Sequence, residues 1–418
     1  MKAPYAGVRV LDLTQLEQGP SGTQVLADFG ADVIKIERPG TGEIGRRMKP
    51  AEAGGYSSFW AANNRNKRSL SLDLKSPEGR RVFTELVKTA DVVAANFRPG
   101  VMERLGFGYE DLAAINPRII LALASGYGQD GPYRDRRGQD LAAQALGGIM
   151  ALTGDADGPP RPVGTYVVDY IAAMHFAQAI MAALAAREQN GVGQLVDVCL
   201  LNAAVAMHLQ EGSAYLNDPV PVPRPRPNLA HSRNTALYGT YETSDGRAIV
   251  IIADIFIDEP WQRVCRALEI GDEIARDPRF ATIEDLERHR DESAAVLREA
   301  FARFSRADAE ARLLKEDVLC APVQAYDEVF TDPQVLFNGM VVETEIEGVG
   351  KRRIVGQPVR LAGTPADSAR LAPPRVGQHN EEILAELGLS EVEIGEVRAA
   401  GAIGDENERR SRGEGDAW

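Results

Sequence analysis

Near the start of the chain the spacing of apolar positions switches between two periods. Val8–Leu13 reads as a short buried strand, Thr23–Phe29 as a helix stopped by Gly30, and Ala31–Glu37 as a second strand. The run Gly19-Pro20-Ser21-Gly22 between the first strand and the helix reads as a tight loop. Strand, loop, helix, strand predicts a parallel pair joined by a right-handed crossover. The pattern recurs: a helix over about Pro77–Thr89 leads into a strand at Asp91–Asn96, and Ile119–Ala124 is another apolar strand. Strands alternating with helices predict an α/β domain with a mostly parallel sheet. An Ala-rich helix is predicted over Tyr170–Arg187. Its most apolar part, Ile171–Ala186, is short for a bilayer span and reads as a core helix.

The pattern changes near Asp218. Prolines alternate at 219, 221, 223, 225 and 227, which forces an extended chain, so 211–229 reads as a Pro-rich linker. Beyond it, Thr235–Thr243 and Arg247–Ala253 read as strands joined at Asp245-Gly246, a strong hairpin signal. Helical, charged sequence continues to about Lys315, giving a small α+β domain at 230–330. Residues 331–404 read as a return linker, rich in Pro and Gly over Gly363–Pro374, followed by a helix at Asn380–Leu387. The charged tail 405–418 holds few apolar residues and is predicted to be disordered.

Composition narrows the class. At 44% hydrophobic and 26% charged residues the chain is an ordinary globular protein, and its net charge of −14 argues against nucleic acid as a main partner. Cys199, Cys265 and Cys320 lie far apart with no CxxC, which points to a reduced, cytoplasmic setting without structural zinc. No signal peptide is expected, since Met1–Tyr5 runs straight into a strand.

Basic residues nonetheless gather after apolar strands: Arg38, Arg46, Arg47 and Lys49, then Arg65, Lys67, Arg68 and Lys75, then Arg98 and Arg104, then Arg134, Arg136 and Arg137. Singly each reads as solvated surface; together at strand ends they suit a ligand with several phosphates and an aromatic base, with Phe97 at hand for stacking. The Gly19–Gly22 spacing is not the GxGxxG of a dinucleotide fold, and Pro20 lacks a backbone donor, so NAD is weakly supported. Asp169 ends the segment Arg161–Asp169 directly before the helix predicted from Tyr170. On that fragment alone a helix cap is the better account. The other reading is a nucleophile: free N–H groups and the macrodipole favour the ionised form by about 0.3–1 kcal/mol, and a partly desolvated carboxylate can attack an acyl group. His175, His208, His231 and His289 show no metal-ligand spacing and suit core or surface roles.

The chain resembles the class III CoA-transferases, the family of formyl-CoA and carnitine CoA-transferases. The resemblance is carried almost end to end by Gly7–Thr14, Gly19-Pro20, Leu26–Gly40, Lys67–Lys75, Asn96–Gly100, Gly126–Tyr133, Arg161–Asp169, Asp277–Phe280 and Gly377–Leu384. It implies a Rossmann-like α/β large domain (residues 1–210 and the C-terminal part) with the small α+β domain inserted, assembled as an interlocked-ring homodimer. It implies Asp169 as nucleophile, forming a mixed anhydride and then an aspartyl-CoA thioester while CoA passes from an acyl-CoA to a free carboxylic acid. CoA contacts carry over to Gln18, Arg38, Leu72, Lys75, Asn96, Phe97, Arg98, Arg104, Arg137 and Asp140, with coenzyme A as co-substrate, no permanently bound cofactor and no metal. No membrane partner is expected.

Three departures from the family stand out. Glu17 occupies a place where oxalate-using members have a neutral residue, and with Gln139 it is a candidate for the substrate pocket. Racemases of the superfamily carry Gly-His-Asp where this chain has Gly138-Gln139-Asp140, which ranks an acyl-CoA racemase or isomerase below a transferase. Residues 225–260 hold only Gly239 and Gly246, so no glycine-rich lid is available to shield an anhydride. These departures leave a non-catalytic CoA-binding protein as a further alternative.

Overall fold

A computed structural model describes residues 1–48, 57–254 and 257–405. Lys49 and the tail from 406, with Trp418, lie outside the described residues. Among the described residues six strands form one sheet: β1 (Arg9–Asp12), β2 (Asp32–Glu37), β3 (Lys67–Ser71), β4 (Val92–Ala95), β5 (Ile120–Ser125) and β6 (Leu195–Cys199). Their order is β3-β2-β1-β4-β5-β6, with parallel pairing throughout. Helices α1 (Gln18–Asp28), α2 (Pro77–Thr89), α3 (Asp140–Leu146) and α4 (Val167–Asn190) position the site. Strand order reverses between β1 and β4, the place where open parallel sheets bind ligands.

The sheet is covered on both faces, so its strands read as continuous apolar runs. Val10, Val33, Val92 and Ile120 pack with Leu26 of α1 and Phe176 and Ile180 of α4. Leu11, Ile34, Val93 and Leu121 point the other way, into a core with Phe83 and Leu86 of α2 and Ile383 and Val397 near the C-terminus. The C-terminal segment also closes the β3 edge, through His379 N–H to Ser69 O at 3.0 Å and Asn66 N–H to Leu371 O at 2.9 Å.

Two helices differ from their expected bounds. Gly19–Gly22 is not a loop but the opening of α1. Pro20 is tolerated there because first-turn N–H groups have no intrahelical partner, and the glycines serve packing. A Cβ on Gly19 would stand 2.4 Å from Thr14 Cβ, and one on Gly22 would stand 2.8 Å from Ala173 O of α4. Helix α4 begins at Val167, so Asp169 lies in its first turn rather than before it. At 24 residues α4 is long and apolar enough to cross a membrane by length and composition alone. Shortness is therefore no argument against a span. What the structure shows is a face of Ala172, Phe176 and Ile180 buried in the core.

The chain divides into two compact units: Met1–Gly147, Thr165–Met207 and the chain from Pro333 form one, and Gly148–Gly164 with His208–Asp332 form the other. Gly148–Gly164 was expected in the large domain, and the linker expected at 211–229 begins within a helix, Leu209–Asn217. In the second unit β7 (Tyr238–Glu242), β8 (Ala248–Ile252) and β9 (Leu319–Pro322) make an antiparallel sheet. Gly246 supplies the hairpin's positive φ of 69°. Asp277 caps the turn Pro278–Phe280, which buries Phe280 with its ring centroid 4.7 Å from that of Trp261.

Candidate active site

The turn from β1 into α1 is built on buried charge. Asp12, Lys35 and Lys67 are each 0% exposed. Lys67 Nζ donates to Asp12 Oδ2, Pro20 O and Asn64 Oδ1, each at 2.9 Å, and Lys35 Nζ donates to Thr14 O at 2.5 Å. Asp12 in turn accepts from Thr14 N–H at 2.9 Å and Thr23 Oγ1 at 2.8 Å. Burial alone would raise the Asp12 carboxyl, but Lys35 and Lys67 hold it well below the usual range. Burial brings Lys67 down to about 8 against the pull of Asp12. The carbonyls on either side of Glu17-Gln18 are thereby gripped by two ammonium groups. Between them Leu16 takes a left-handed φ of 64°, uncommon for a non-glycine residue, with its N–H on Glu43 Oε2 at 3.2 Å.

Asp169 is reached from the other side. Asp140, at the start of α3 and 5% exposed, accepts through Oδ1 from Val168 N–H at 2.8 Å and Asp169 N–H at 3.2 Å, and through Oδ2 from Gln144 Nε2 at 2.5 Å. It caps α4 from 28 residues away in sequence. Val167 N–H bonds Thr165 O at 2.9 Å and Tyr170 N–H bonds Tyr166 O at 3.1 Å. The donors at the start of α4 are thus engaged, and the free N–H groups expected beside Asp169 are not free. Among the described residues the Asp169 carboxylate has no hydrogen bond or ion pair. Burial, then the charge of Asp140, push it up to about 7. Burial, then Asp169 and Asp140, push Glu17 up to about 8. Desolvation and a like charge thus raise Asp169, against the expectation that the helix start lowers it.

Next to this cluster lies a cavity of about 450 Å³ lined by Asn96, Phe97, Arg98, Ser125, Tyr127, Arg134, Arg136, Arg137 and Gln139. The volume suits a sizeable ligand, and the four arginines suit its phosphates. Asn96 and Gln15 exchange hydrogen bonds at 2.7 Å, tying the end of β4 to the β1–α1 turn. Gln18 Nε2 reaches Ser125 O at 3.4 Å. Arg38 and Leu72 line a narrow neighbouring cleft that shares Phe97, together with Gln15 and Glu43. Exposed Lys75, before α2, and exposed Arg104, ending the short helix Val101–Arg104, line neither. The Asp140 carboxylate, read as a CoA contact, is committed to capping α4. Two features had no signal in one sequence: the Asp12–Lys35–Lys67 cluster, and the contact of Gly126 with Gly138, where an added Cβ would come within 2.7 Å of the facing Cα.

The model of a family described as CoA-transferase family III matches residues 5–380. The chain belongs to CoA-transferase family III. This family III CoA-transferase is 34% identical over 395 residues to a succinate–glutarate CoA-transferase of Agrobacterium fabrum, covering 92% of this chain and 96% of that one. It is 33% identical over 418 residues to a formyl-CoA:oxalate CoA-transferase of Rhodopseudomonas palustris, covering 95% and 96%. A solved CAIB/BAIF family protein from Brucella suis superposes with a TM-score of 0.83 at 34% identity, covering 93% of this chain and all (100%) of that one. The family III CoA-transferase is therefore an enzyme of acyl-CoA metabolism, with CoA thioesters as substrates. The non-catalytic alternative gives way.

Proposed function

We propose that Asp169 carries CoA transfer between carboxylic acids by covalent catalysis. Its carboxylate oxygen attacks the donor thioester carbonyl; the C–S bond breaks and the electron pair leaves on CoA thiolate, giving a mixed anhydride. The thiolate then attacks the aspartyl carbonyl carbon and expels the donor acid, leaving an aspartyl-CoA thioester. An acceptor carboxylate reverses the two steps, departs as its CoA thioester and restores Asp169. No net proton moves, and each step is an exchange of acyl groups between nucleophiles. The observation that carries this reading is a half-buried carboxylate without a cationic partner among the described residues, on a residue whose N–H bonds Asp140, the neighbour of Gln139 on the arginine-lined cavity. An ion-paired carboxylate would be a poorer nucleophile.

The CoA contacts follow as part of the proposal: Asn96, Phe97, Arg98 and Arg137 on the main cavity, Gln18 through its bond to Ser125 on that cavity's wall, Arg38 and Leu72 at the cleft, and Lys75 and Arg104, which line neither. A racemase needs a base at the α-carbon. Among the described residues no histidine lines the cavity, and Gln139 has no basic group. We also propose a cytoplasmic homodimer that acts away from membranes and nucleic acid. Large apolar side chains left open on the chain, Leu209 at 78% and Leu216 at 83% exposure, support a further protein surface there.

The test is a panel of donor thioesters, including succinyl-CoA and formyl-CoA, against labelled mono- and dicarboxylates. Label should enter the thioester pool with no change of configuration at the α-carbon. Deuterium wash-in at that carbon without label exchange would favour the racemase.

A further inference from the structure

Glu17 is the site residue that the covalent mechanism leaves without a task. It precedes α1 as its N-cap, yet its side chain caps nothing, and among the described residues it has no cationic partner. Its backbone cannot swing away. Lys35 and Lys67 hold Thr14 O and Pro20 O on either side, and Leu16 is fixed in a left-handed conformation between them. Helices α1 and α4 both cross back against the parallel strands, so they run in the same direction, and they touch where Gly22 meets Ala173. Glu17 lies five residues before Gly22 and Asp169 four before Ala173. At about 1.5 Å per residue the two carboxyls stand at nearly the same level along neighbouring helices.

Among the described residues the charged groups facing Glu17 are carboxylates: Asp169 on α4 and Asp140 on α3. The ammonium groups beneath the turn are taken up by Asp12 and the two carbonyls. Two half-buried carboxyls facing a third charge do not both ionise readily. We propose that Glu17 is a specificity-determining hydrogen-bond donor: protonated, it offers its O–H to the carboxylate of the acid that meets Asp169, and ionised, it repels that acid. The proposal rests on Asp169 as nucleophile. Its direction of titration agrees with the geometry, since burial and the two facing carboxylates push Glu17 up to about 8. The substrate class is thus an anionic carboxylic acid whose carboxylate needs a neutral donor.

Carbon-13 labelling of the glutamates, with the Glu17 signal assigned by its loss in Glu17→Gln, gives a readout free of substrate. That signal should titrate near pH 8; titration in the ordinary carboxyl range near about 4 overturns the proposal. In kinetics with the best pair from the panel, kcat/KM for the acceptor should fall above pH about 8 in the unaltered enzyme, and Glu17→Gln should lose that fall. Glu17→Leu, which has no donor, should show an acceptor KM about tenfold above that of Glu17→Gln at neutral pH, with little change in the KM of the donor thioester. An alkaline fall that survives in Glu17→Gln, or equal acceptor KM values for Gln and Leu, overturns the role of Glu17. Trapped adduct on Asp169 in these variants keeps the mechanism intact if that happens; absence of adduct in the unaltered enzyme overturns the mechanism itself.

Discussion

Two groups of buried charge meet at the β1–α1 turn, and they are built on opposite principles. Asp12, Lys35 and Lys67 are fully enclosed, and each charge is matched by an opposite charge, a carbonyl or a hydroxyl. Glu17 and Asp169 are only half-buried, and the charge they face, Asp140, is of their own sign. The balanced group makes a rigid turn. The unbalanced group leaves a carboxylate whose charge is not spent on a partner, which is what a nucleophile requires. Stability and reactivity are thus separated by a few residues of one chain, and the first holds the second in place.

That contrast breaks hardest at Asp169. Asp169→Ala should lower CoA transfer by about 10³-fold or more while CoA is still retained by the arginine-lined cavity, as steady-state rates and equilibrium binding would show. Lys67→Met attacks the balanced side. It leaves Asp12 short of a partner and Pro20 O unmet in a dry site, and it should cost about 3–5 kcal/mol in denaturant unfolding, with a lower melting temperature. Asp140→Asn sharpens the unbalanced side by removing one charge. The acidic limb of kcat/KM, expected near pH 7 from Asp169, should move to lower pH, and loss of the charged cap on α4 should cost about 1 kcal/mol.

The last effect is on stability against pH. Asp169 and Glu17 have folded pKa values raised above their unfolded ones, so the folded state binds more protons in between. Their contribution is present below pH about 4 and is lost as pH rises through 7 and then 8. Unfolding free energies measured across that window should fall less steeply in Asp169→Asn than in the unaltered protein.

Much of the sheet was legible because burial on both faces writes apolar runs into β1, β2, β4 and β5. The bounds of α2 match their expectation, since Ser76 caps it through Gly79 N–H and Pro77 opens it. The start of α1 was not legible: Gly19 and Gly22 look like turn residues until Thr14 and Ala173 are seen pressed against them. Likewise Asp169 looked like a cap because the true cap, Asp140, sits 29 residues upstream of it. Of the site, Asn96, Phe97, Arg98, Arg137 and Gln139 fall together on one cavity, as strand-end positions lead one to expect. The pairing of two lysines around Asp12 depends on neighbouring strands and has no local signature.

The proposed mechanism requires that the acyl group and then CoA be carried on Asp169. Incubating the enzyme with donor thioester, quenching with hydroxylamine and mapping peptides by mass spectrometry tests it directly. The hydroxamate mass shift is expected on the peptide holding Asp169, and no shift there in Asp169→Ala. A shift on any other carboxylate, or label exchange without an adduct on Asp169, would contradict it.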